Sequence, residues 1–79
     1  MGMDLVKRPL WTRKLSDEKL YKYLGELNEF ELRGETNSEL LLDTAETWYS
    51  HLVGMERLLR LSIDVYKEAA FRWYIEKHY

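Results

Sequence analysis

The sequence predicts an all-α protein: a small three-helix bundle, or a helical hairpin with one long dimerising helix, preceded by an N-terminal extended arm. Two observations carry this. From Ser38 to His78 the chain runs forty-one residues without proline. Along that stretch Leu41, Ala45, Trp48, Leu52, Met55, Leu59, Tyr66, Ala69 and Trp73 recur every three or four positions, with Ser62 as the only polar step. That spacing is the mark of a helical face covered by other helices.

The elements follow in order. Residues 1–15 read as a basic arm, and residues 16–79 as one helical domain. Pro9 pushes Arg8 toward extended backbone and discourages helix before it. Leu10, Trp11 and Leu15 are the arm's candidate anchors. A first helix is expected over 16–33. Ser16 can cap its free amides, and Asp17 and Glu18 suit its positive end. Gly34 follows Arg33 as the residue that ends it. Gly25, inside this helix, costs up to about 1 kcal/mol against alanine and suggests a close helix–helix approach.

Thr36-Asn37-Ser38-Glu39 is a turn in which Thr36 and Ser38 compete as caps. Past it, an unbroken helix from Glu39 to His78 would be about 60 Å long at 1.5 Å per residue. A 79-residue globule has a radius of gyration near 12 Å. A break at Gly54 is therefore expected, giving helices over 38–53 and 55–78; Ser62 is an alternative break. The other way to cover the stripe is a whole helix packed on a second copy.

Composition narrows the chemistry. With 79 residues the chain supports one domain, which is marginal unless its core is dense or it self-associates. It has no cysteine, so disulfides and cysteine–histidine metal sites are excluded. Three Trp, six Tyr and two Phe supply bulk for the core, and some of the tyrosines are expected at a rim or interface. There is no glutamine and a third of the residues are charged, a usage that resembles a thermophile's. Met1 to Leu15 carries no apolar signal region, and the charge-free stretch Thr47 to Met55 is far too short to span a bilayer. The expectation is a cytoplasmic, membrane-free protein without cofactor, metal or small-molecule substrate.

The net charge of −2 is unevenly spread. Residues 1–15 carry +3, residues 16–47 carry −6 and residues 48–79 carry +1. In the arm, Lys7, Arg8, Arg13 and Lys14 flank Trp11. Such a segment suits phosphates, with the indole stacking on a base. The same cations also suit a loose terminus that needs only to stay hydrated. The aromatic tail from Phe71 to Tyr79 places apolar residues on more than one side of a helix, which implies several neighbours or a partner surface.

Catalytic patterns are sparse. Arg72 and His78 have the spacing of the Arg-x(4–6)-His motif and in this resemble the helical HEPN ribonucleases, a resemblance that implies RNA cleavage at a dimer interface. Positions six apart on a regular helix differ by about 240°, however, so the two side chains diverge. Ser50 and His51 are sequence neighbours that do not face each other on a helix. Glu39, Asp43 and Glu46 share a face, as acids near a helix start do without binding metal. The chain is thus expected to be a non-enzymatic protein–protein interaction or adaptor module, self-associating as a homodimer or binding another protein. Trp48, Tyr49, Trp73 and Tyr74 are its candidate anchors. The second reading is a nucleic-acid-binding regulator using Lys7, Arg8, Trp11, Arg13 and Lys14.

Overall fold

The computed structural model describes residues 7–78, with side chains described as far as Ile75. It contains α1 (Leu10–Arg13), α2 (Asp17–Arg33), α3 (Glu39–Tyr49) and α4 (Met55–His78). The chain is an all-α bundle, with α2, α3 and α4 as its body; α1 is one added turn and corrects the extended arm expected there, because Pro9 starts a helix as readily as it stops one before it. Its radius of gyration is 12.9 Å and its longest extent 37 Å, close to the length of the 24-residue α4 at 1.5 Å per residue.

Local chemistry sets the boundaries. Pro9 stands at ψ 151°, and its carbonyl accepts from the Thr12 and Arg13 amides of α1. Ser16 Oγ accepts from the Lys19 amide at 3.1 Å and starts α2. Gly34 ends it at φ +78°, donating its N–H to the Phe30 carbonyl at 2.7 Å. Ser38 is the cap of α3, accepting from Leu41 N at 3.3 Å, while Thr36 Oγ1 accepts from the Ser38 amide instead.

The long helix breaks where glycine permits it. Gly54 stands at φ +54°, a left-handed conformation that side chains resist. Helix α3 stops at Tyr49, earlier than the expected 53, because the reversal needs several residues of its own. Arg57 stabilises that reversal, donating from Nε to the Leu52 carbonyl at 2.7 Å and from Nη2 to the Ser50 carbonyl at 3.3 Å. Ser62 lies within unbroken α4 and bonds back to the Leu58 carbonyl.

The core joins Leu20, Tyr23, Leu27 and Phe30 of α2, Leu41, Ala45 and Tyr49 of α3, Leu61 and Val65 of α4, and Trp11 of α1. This corrects the single stripe read from sequence. Leu41 and Ala45 are buried as expected, but α3 continues to Tyr49 rather than Trp48. The loop at Gly54 then resets the helical phase. Helix α4 turns Leu58, Leu61, Val65 and Glu68 inward, leaving Met55, Leu59, Tyr66 and Trp73 outside. Gly25 is exposed, and a methyl group there would touch nothing within 4 Å, so no close approach requires it.

Candidate functional site

Glu68 sits on the inner face of α4 with its side chain 2% exposed. A carboxylate so withdrawn from water requires charged partners. Arg8 Nη1 donates to Oε1 at 3.0 Å and to Oε2 at 3.2 Å. Arg72, one turn further along α4, donates from Nε to Oε2 at 2.6 Å. The Arg8 guanidinium also lies over the Phe71 ring, 3.5 Å from its centroid.

Arg72 extends this network to two other elements. Its Nη1 donates to Asp17 Oδ1 at 2.9 Å, in the first turn of α2. Its Nη2 donates to the carbonyls of Thr12, inside α1, at 3.1 Å and of Leu15, just past its end, at 2.6 Å. Burial disfavours the guanidinium's charge, but Glu68 and Asp17 outweigh that and raise its pKa. Arg72 is therefore a fastener between α1, α2 and α4. The side chain of His78, its partner in the ribonuclease-like spacing, lies outside the described residues.

A second polar chain crosses the core at the level of α3. The Trp11 indole N–H donates to the Tyr49 hydroxyl at 3.1 Å, and that hydroxyl donates to the buried carboxylate of Asp64. Burial first, and the Asp64 carboxylate second, push the Tyr49 hydroxyl well above the ordinary tyrosine range. Tyr23 and Thr44 pair their hydroxyls at 2.7 Å nearby. The Trp11 ring is edge-on to Tyr23 and Tyr49 and parallel to Trp48, with 6.3 Å between the two indole centroids.

These contacts divide the residues singled out from sequence. In the arm, Lys7, Arg13 and Lys14 face solvent, whereas Arg8 is half-buried on Glu68 and Trp11 is in the core. Trp11 can meet a nucleobase only by leaving Tyr49. Among the candidate anchors, Tyr49 is only 4% exposed, while Trp48 is 52%, Trp73 60% and Tyr74 46% exposed. Trp48 and Trp73 line different clefts. Trp48 closes one of about 360 Å³ with Leu10, Lys14 and Tyr23, between α1, α2 and α3. Trp73 borders one of about 610 Å³ with Leu20, Tyr21, Leu24 and Ala69, between α2 and α4. Glu39, Asp43 and Glu46 all point to solvent.

The outer face of α4 was hidden in the predicted stripe. Met55, Leu59, Ile63, Tyr66, Ala70 and Trp73 are all exposed. At 100° per residue they fall within an arc of about 80° and run about 27 Å along the helix. No Asp, Glu, Lys or Arg between positions 55 and 73 falls in that arc. The buried acids went unread because their partners are remote: Arg8 is 60 positions from Glu68. The available signal was Glu68 placed four residues before Arg72, a favoured helical ion-pair spacing. Among the described residues, no helix is long and apolar enough to cross a membrane. No protein-family model, curated protein or solved structure matches the chain.

Proposed function

We propose that this chain is a protein–protein interaction module that associates with itself through the outer face of α4. The observation that carries the reading is the exposed stripe from Met55 to Trp73, which holds no charged residue of α4 itself and meets α2 at Tyr66, whose hydroxyl donates to Glu31 Oε2 at 3.2 Å, and beside Trp73. A helix that is apolar on its inner face has already met the needs of its own bundle. A second apolar face along the same helix is a surface for another protein. Small domains also gain most from association, because they bury a modest share of their own surface.

Sedimentation equilibrium over a concentration series tests this. The mass is expected to rise from 9.6 kDa toward twice that value. Ile63→Glu, which places a charge at an exposed point of the stripe, is expected to hold the mass at the lower value while leaving the helical content intact. A wild-type mass that stays at 9.6 kDa at every concentration removes the reading.

A further inference from the structure

We infer that the partner on α4 is a second copy running antiparallel, whose Met55 and Leu59 enter the cleft between α2 and α4. The inference rests on the self-association proposed above and adds its geometry.

The stripe has unlike ends. Its beginning carries projecting knobs, Met55 and Leu59, both about half exposed. Its far end carries an opening of about 610 Å³, walled by Tyr21 and Leu24 of α2 and by Ala69 and Trp73 of α4, with the Asp17–Arg72 ion pair also in its lining. A two-fold axis maps each end of a helix onto the opposite end of its partner. With that axis passing between positions 64 and 65, Leu59 meets Ala70 of the second copy, Ile63 meets Tyr66, and Met55 meets Tyr74 beside Trp73. A large side chain then lies opposite a small one at Leu59–Ala70, next to the cleft floor at Ala69. Both clefts fill at once.

Area favours this seating over a simple pairing of two stripes. A strip about 27 Å long and 10–12 Å wide is roughly 300 Å² in plan. A specific interface buries about 600–1,000 Å² on each partner. The stripe by itself falls short, and the cleft walls on α2 add to it. A parallel arrangement sets knobs against knobs and leaves both clefts empty.

The chain contains no cysteine, so introduced thiols report cleanly. Leu59→Cys, Ala70→Cys and the double variant are oxidised separately and sized under denaturing conditions, with sedimentation of the reduced proteins alongside. The antiparallel register predicts covalent dimer from the double variant as the main product. It predicts little from either single variant, because position 59 lies about 16 Å along the axis from its own copy. A protein that doubles in mass yet cross-links through single Leu59→Cys, or not at all in the double variant, overturns the register and leaves self-association standing. A protein that never doubles in mass overturns both.

Discussion

Glu68→Gln tests whether the buried carboxylate holds the bundle together. The substitution keeps size and shape but removes the charge shared by Arg8 and Arg72. The amide can still accept one of their hydrogen bonds, while its NH₂ group faces a donor. Removing one partner of a buried ion pair costs about 3–5 kcal/mol. The two arginine side chains remain 18% and 23% exposed, so water partly recovers them and the lower end applies. The expected loss is about 3 kcal/mol. A domain of 79 residues has roughly 4–12 kcal/mol to lose, at 0.05–0.15 kcal/mol per residue. Urea unfolding followed by far-ultraviolet dichroism should show the midpoint falling with an unchanged slope. Thermal unfolding should fall by about 12–24 °C, at 4–8 °C per kcal/mol. A loss below about 1 kcal/mol would refute the argument, because it would mean that the guanidinium groups reach water freely in the folded chain.

Other substitutions follow from the same geometry. Gly25→Ala should stabilise by about 0.5–1 kcal/mol, since the site is helical, exposed and open, and a melting curve will read it. Tyr49→Phe should cost about 1–3 kcal/mol in urea unfolding, by stranding the Trp11 indole N–H and the Asp64 carboxylate. Alkali gives a second handle on Tyr49. The folded chain holds this proton above the unfolded value of 10.0, so its stabilisation is complete below pH 10 and is lost as pH rises beyond it. Above pH 10 wild-type stability should fall by up to about 1.4 kcal/mol per pH unit through this residue, a component that Tyr49→Phe lacks. Ile63→Glu should leave monomer stability within about 0.5 kcal/mol in dilute thermal melts, which separates an association defect from unfolding.

Most helix limits were legible because their causes are local; the turn of α1 and the early end of α3 at Tyr49 were not. Ser16, Gly34, Ser38 and Gly54 each act within a few residues, and each acts where the sequence placed it. The inward face of α4 was not legible. A helix apolar on two sides offers two phases, and only the path of the Gly54 reversal chooses between them. Trp48 and Tyr49 show the same difficulty on a smaller scale: adjacent aromatic residues differ by 100°, and the one with a hydroxyl went inside because Asp64 and Trp11 were there to meet it. The arm looked solvated because its cations are conspicuous, whereas the anion that holds Arg8 lies near the opposite end of the chain. The exposed stripe emerged only once the inner face was fixed, as the apolar residues the core did not take.

Arg72 and Glu68 also set a schedule. Arg8 is synthesised 60 residues before the carboxylate that receives it. At about 5–20 residues per second, that interval is roughly 3–12 s. Helices α2 and α3 can pair during it and already offer Trp11 the rings of Tyr23, Trp48 and Tyr49, but Arg8 has no anion to meet until most of α4 exists. The Arg8–Glu68 clasp therefore forms after the aromatic partners of Trp11 are already in place.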